Sequence, residues 1–284
     1  MSVAFDLILP SGSVAAGARL HLTRWLPDGA PRAVVLLAHG YAEHAGRYDH
    51  VAARLTGAGY AVYAVDHWGH GRSDGVPGFV PRFSAFTDGM AELLTLVEIN
   101  HPGLPRLLLG HSMGGLVSTL FLIERQDAFA AAALSGPAIL PAQPPSRFTV
   151  WVSRFLSRFF PRLGVLSLDA TGVSRDPAVV AAYVADPLVY HGKIGARLGK
   201  EFMDAMAAAQ AGAPNIRLPI LFQHGGNDSL AAPDGSRFLF EHVSAPDKRL
   251  ELYPGLFHEI YNEPERDAVL GDLVGWFDAH VSRN

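Results

Sequence analysis

The chain has 284 residues, 49% of them hydrophobic, which suits one large α/β domain carrying an insertion. Its 23 basic and 27 acidic side chains leave a net charge of −4, so composition gives no case for nucleic acid as a partner. The absence of cysteine excludes disulfides, thiolate metal sites and cysteine nucleophiles, and it fits a cytoplasmic protein.

The first residues carry neither a basic cluster nor a long apolar run, so no signal peptide is expected. No apolar stretch reaches about 18 residues, so no spanning helix is expected either. Phe5–Leu9 and Arg19–Trp25 alternate around a Ser-Gly turn and predict an antiparallel pair at a sheet edge. Val34–Ala38 is continuously apolar, as in a strand buried on both faces. Tyr48–Leu55 reads as a helix ending at Gly57 and Gly59, and Ala61–Val65 as the next buried strand. Phe86, Met90, Leu93, Leu94 and Val97 fall at helical spacing. A strand then runs into Ser112, a helix follows from about Gly114 to Glu124, and Ala131–Leu134 is another short strand.

This alternation predicts an α/β fold with a mostly parallel sheet and helices on both faces. It breaks at Gly136-Pro137, and from there to about Pro214 helices and prolines are legible but no convincing strand. Strands resume at Pro219–Gln223 and Arg249–Tyr253, before a closing amphipathic helix through Val269, Leu270, Leu273, Val274 and Phe277. Residues 1–136 and 215–284 therefore read as the core, and 137–214 as a helical lid inserted between two strands.

Gly110-His111-Ser112-Met113-Gly114 fits G-x-S-x-G, in which a serine sits on a sharp strand-to-helix turn above the sheet. A serine hydroxyl needs a general base, and the base an orienting acid. Asp228 follows a later strand and is the candidate acid, with Asp234 as a nearby rival. His258 follows the last strand and is favoured as base over His224 and His242. The order Ser112, Asp228, His258 is the one this architecture uses. An oxyanion hole needs two N–H donors, expected from Met113 and from Tyr41 in the loop after Val34–Ala38. No histidine cluster has recognisable metal-ligand spacing, and no cofactor is expected.

Three blocks, His39–Tyr48, Asp66–Ser73 and Gly110–Gly115, resemble the signature blocks of monoacylglycerol lipases. His258-Glu259-Ile260-Tyr261-Asn262-Glu263 resembles the bacterial members, and within the lid only Tyr183–Leu188 matches. The resemblance implies an α/β-hydrolase fold and a cofactor-free serine esterase that splits monoglycerides into glycerol and fatty acid. It also implies that Glu43 and Arg47 shape the loop and polar end of the pocket, and that His111 and Tyr183 contact the glycerol hydroxyls. An intraloop Glu43–Arg47 ion pair and a packed core His111 are the alternatives. Position 41 is a tyrosine where many members carry a small residue.

A lysophospholipase or general short-chain esterase would use the same triad, and a ligand-binding receptor on this fold would need none. Within the lid, Phe148, Trp151, Val152, Phe155 and Phe159 share one helical face, with Val150, Leu156 and Phe160 widening it. Arg147, Arg154 and Arg158 share another face. Residues 146–160 thus read either as a peripheral membrane contact or as a lid helix packed on the core.

Overall fold

The computed structural model describes residues 2–141 and 147–281; side chains of 147–151 lie outside that description, and with them the readings of Arg147, Phe148, Val150 and Trp151. In chain order the strands are β1 (Ser2–Ile8), β2 (Arg19–Trp25), β3 (Ala33–Ala38), β4 (Tyr60–Val65), β5 (Arg106–His111), β6 (Ala131–Ser135), β7 (Gly164–Leu166), β8 (Ile194–Gly195), β9 (Ile220–Gly225) and β10 (Lys248–Tyr253). The helices are α1 (Asp49–Gly57), α2 (Ser84–Asn100), α3 (Met113–Arg125), α4 (Arg147–Phe159), α5 (Pro177–Ala185), α6 (Ala196–Gly212), α7 (Pro233–His242) and α8 (Arg266–His280).

Eight strands form one sheet in the order β1-β2-β4-β3-β5-β6-β9-β10. β1 and β2 are an antiparallel edge, β2 runs antiparallel to β4, and every later pairing is parallel. Parallel strands need crossovers, and the crossover helices cover both faces, which is why the central strands are apolar without alternation. In β3, Val34, Leu36 and Ala38 join one core with residues of α2 and α3, while Ala33, Val35 and Leu37 join a second with residues of α1 and α8.

β3 has β4 on one side and β5 on the other, so chain direction across the sheet reverses there. Loops leaving β3 and β5 diverge at such a switch and leave a crevice above the strand ends. Between β6 and β9 the chain departs from the sheet and forms α4, α5 and α6. One expectation is corrected in this segment. Gly164–Leu166 and Ile194–Gly195 pair as a short antiparallel ribbon where no strand was legible. Two or three residues are too few to show a two-residue period.

Candidate active site

Ser112 connects β5 to α3 with φ 54° and ψ −117°. A positive φ is costly for a residue with a Cβ and persists only where the surroundings fix it. The flanking glycines show what fixes it. A Cβ on Gly114 would fall inside contact distance of the Ala38 and His39 carbonyls, and one on Gly110 would strike Ser118 and the Gly114 carbonyl. The amino end of α3 can therefore lie directly on the end of β3. Met113 is the first residue of α3, so its N–H has no acceptor within the helix. Among the described residues no protein acceptor pairs with the N–H of Met113 or of Tyr41.

Tyr41, Glu43, His111, Ser112, Tyr183, His258 and Glu259 line one cavity above the sheet. Asp228 lies behind His258, on the turn after β9. Its Oδ2 is 2.6 Å from His258 Nδ1, and its Oδ1 accepts from the N–H groups of Leu230 (2.8 Å) and Ala231 (2.9 Å). A carboxylate can only accept, so His258 carries its proton on Nδ1 and leaves Nε2 as a base. Burial opposes a charge on His258, but Asp228 outweighs it and holds the imidazole pKa above its ordinary value. Asp228 itself is held well below the usual carboxylate range despite burial, because His258 and His224 both face it. The rival Asp234 lies exposed on α7 beside Arg237, and His242 is the exposed last residue of that helix.

Gly136, where the alternation of elements broke, has φ 51° and lies against the pair. A Cβ there would sit 3.4 Å from His258 Nδ1 and 3.5 Å from Asp228 Oδ2.

Glu43 is buried and its oxygens are fully engaged. Oε1 accepts from the Gly40 N–H and the Tyr48 hydroxyl, both at 2.7 Å, and Oε2 from Arg47 Nη1 at 2.7 Å. Burial pushes its pKa up, but Arg47, His39 and these donors bring it below the usual value. Arg47 does not line the cavity with Ser112. It lies behind it, along a smaller cavity shared with His111 and Glu259, and its guanidinium stands 4.7 Å over the Tyr183 ring. His111 is buried with Nδ1 3.1 Å from Ser135 Oγ and its ring 4.8 Å from that of His258. Burial and the neighbouring His258 push its pKa down to about 3, so it is a neutral imidazole that can offer hydrogen bonds without adding charge.

Two partners were not legible in the sequence. Glu259 holds Arg47 from the opposite loop, and the fully buried His224 approaches Asp228 Oδ2 at 3.0 Å. The only available signal was spacing: His224 and Asp228 are four apart across a tight turn. Among the described residues no three His, Asp or Glu side chains gather as metal ligands.

Sheet, elbow and buried Asp–His pair together define a serine hydrolase of α/β-hydrolase fold. Residues 29–265 match the family described as serine aminopeptidase, S33. The chain is 43% identical to the monoacylglycerol lipase of Mycolicibacterium smegmatis, over 93% of this chain and 95% of that one. It is 34% identical to the human monoglyceride lipase, over 94% and 89% of the two chains. The crystal structure of the Paleococcus ferrophilus monoacylglycerol lipase superposes with a TM-score of 0.83 at 32% identity, covering 92% of this chain and 99% of that one. The chain belongs to the monoacylglycerol lipase family of serine hydrolases, and it is a carboxylic ester hydrolase.

Proposed function

We propose that the protein hydrolyses monoacylglycerols to glycerol and free fatty acid through an acyl-enzyme on Ser112. The supporting observation is the convergence of Ser112 and His258 on one cavity, with Asp228 holding Nδ1 of that histidine. Ser112 Oγ attacks the ester carbonyl carbon while His258 Nε2 takes its proton. The N–H groups of Tyr41 and Met113 stabilise the oxyanion. Collapse breaks the bond to glycerol, which leaves with the proton from His258. Water, deprotonated by His258, then attacks the acyl carbon and releases the fatty acid and Ser112.

Neutral His111 and the Tyr183 hydroxyl suit an uncharged polyol as leaving group. Glu43 and Glu259 also border the cavity, but both are paired with Arg47. Neither is left to hold the ammonium of a peptide substrate, so an aminopeptidase activity is disfavoured.

In this reading residues 137–214 are the lid and 1–136 with 215–284 the core. The lid also supports contact with a lipid surface. Phe155, Phe159, Phe160, Leu163 and Leu166 are 47%, 63%, 55%, 51% and 61% exposed, beside the exposed Arg154 and Arg158. Apolar side chains clustered with arginines suit shallow insertion at an anionic interface. The opposite side of α4 faces inward, where Ser157 is buried and bonded by Arg197.

The test is a hydrolysis panel of mono-, di- and triglycerides and lysophospholipids at matched acyl length. Monoglycerides are expected to exceed triglycerides in kcat/KM by at least about tenfold, or about 1.4 kcal/mol. Equal rates on both would instead identify an open-site general lipase.

A further inference from the structure

The triad reading gives no role to a buried titratable group that contacts Asp228 from behind. His224 lies near the end of β9, next to its final residue Gly225, with its side chain wholly inside the protein, as are the side chains of Asp228 and Ser236. Its Nε2 is 3.0 Å from Asp228 Oδ2 and 3.1 Å from the Ala231 carbonyl; its Nδ1 is 2.7 Å from Ser236 Oγ on α7. Chemistry fixes the protons. Both neighbours of Nε2 are acceptors only, so Nε2 carries the hydrogen and donates. In the neutral ring Nδ1 is then the lone-pair nitrogen, and it accepts from the Ser236 hydroxyl. A single carboxylate oxygen, Asp228 Oδ2, thus receives two imidazole N–H donors, one from His224 and one from His258.

We infer that His224 acts on the base through Asp228: by sharing Oδ2 it sets how basic His258 is. The inference rests on the triad reading above. Oδ1 is anchored separately by two backbone N–H groups, so the carboxylate keeps its place without His224. What changes is charge. With His224 donating, part of the negative charge on Oδ2 is engaged away from His258, and the imidazolium formed during catalysis is stabilised less. Without it, Oδ2 serves His258 alone and the base holds its proton more tightly. The other charged or titratable groups facing His258 are Glu43 from the loop after β3, His111 from β5 and the adjacent Glu259, with Arg47 between the two glutamates. The polar partners of His224 among the described residues are Asp228, Ala231 and Ser236, so a change at His224 reaches His258 through Asp228.

The experiment is the pH profile of kcat and KM on a soluble p-nitrophenyl ester. His224→Leu removes the donor, His224→Gln retains an N–H donor near the same place, and Ser236→Ala removes the hydroxyl that orients the ring. His224→Leu is expected to move the acid limb of kcat/KM upward by at least about half a pH unit. On the acid side that is about a threefold loss. KM at high pH should hold, and His224→Gln should bring the limb back. Ser236→Ala should move it the same way by less, and it decides the matter if His224→Leu does not fold. The proton resonance of His258 Nδ1–H should shift in step with the limb. A limb that stays put in both Ser236→Ala and His224→Leu, or a uniform loss at all pH values with no return in His224→Gln, overturns the inference. Asp228→Asn and His258→Ala separate the two levels. If either keeps wild-type turnover, the triad reading itself fails; if both are inactive while the limb stays put, only the role of His224 fails.

Discussion

Arg47 and Glu259 face each other as a two-pronged pair, Nη1 to Oε1 at 2.6 Å and Nη2 to Oε2 at 2.8 Å, across 212 positions of sequence. The pair ties the loop after β3, which carries Tyr41, to the loop after β10, which carries His258. The same Arg47 holds Glu43, whose other oxygen holds the Gly40 N–H. The loop proposed to stabilise the oxyanion and the loop carrying the proposed base are therefore fastened through one partly buried guanidinium.

Arg47→Met would leave two carboxylates buried without their cation. Removing one partner of such a cluster costs about 3–5 kcal/mol. The expected outcome is a large fall in melting temperature together with a fall in kcat. Glu259→Gln keeps hydrogen-bonding capacity and leaves Arg47 paired with Glu43, so it should cost less on both counts. Thermal unfolding and ester turnover on the two variants check this, and equal stability of wild type and Arg47→Met would refute it.

Ser112→Ala, Asp228→Asn and His258→Ala should each lower kcat by about three to six orders of magnitude while the protein stays folded. A serine-directed phosphonate should label Ser112 in the wild type alone. Because Asp228 raises the pKa of His258, the acid limb of kcat/KM should lie above the ordinary histidine value of about 6.5. Activity then disappears as pH falls through that raised value. For stability the sign is opposite: the contribution of His258 is complete below about 6.5 and is lost as pH rises through its raised folded-state value. A limb below 6.5 would contradict the dominance of Asp228 over burial.

His39, His67 and His70 form a second buried group beside the oxyanion loop, with ring centroids 4.4 Å apart for His39 and His67 and 5.4 Å for His39 and His70. Burial lowers all three, His70 to about 4 and His67 well below its ordinary value. Among the described residues neither ring nitrogen of His67 has a partner. A base with a depressed folded-state pKa contributes stability that is complete above the unfolded value, about 6.5, and fades as pH falls. Each such histidine adds a slope of about 1.4 kcal/mol per pH unit. Melting temperature should therefore drop steeply between pH 6.5 and 4. His67→Phe removes two unsatisfied nitrogens and should flatten the drop; an unchanged slope would exonerate His67.

The central fold was legible because burial on both faces writes itself as continuous apolar runs. β3, β4, β5 and β9 lie within two residues of the runs read from sequence. The elbow at Ser112 was legible for a different reason, since a turn that tight tolerates only glycine at positions 110 and 114. Long-range partners were not legible. Nothing local ties Glu259 to Arg47, or marks His224 as a donor to Asp228 rather than a core residue. The β7–β8 ribbon was too short to leave a period. On α4 the pattern showed apolar and basic faces, but only the fold shows that the Ser157 side packs inward while Phe155 and Phe159 are exposed.

That exposure gives the remaining prediction. Phe159, Phe160 and Leu166 are more than half exposed, a poor arrangement for a protein surrounded only by water and a suitable one for an enzyme collecting substrate from a lipid surface. No helix among the described residues is long and apolar enough to cross a membrane. Wild type should co-sediment with vesicles containing anionic lipid, more at low salt, because Arg154 and Arg158 stand beside the aromatic residues. Phe159→Ser, Phe160→Ser and Leu166→Ser should each reduce the bound fraction and the rate on vesicle-borne monoglyceride. Turnover of a soluble short ester should stay at the wild-type level, since none of the three lines the cavity with Ser112. If all three bind vesicles as wild type does, the exposed side of α4 and the segment after it has another purpose and the docking reading is wrong.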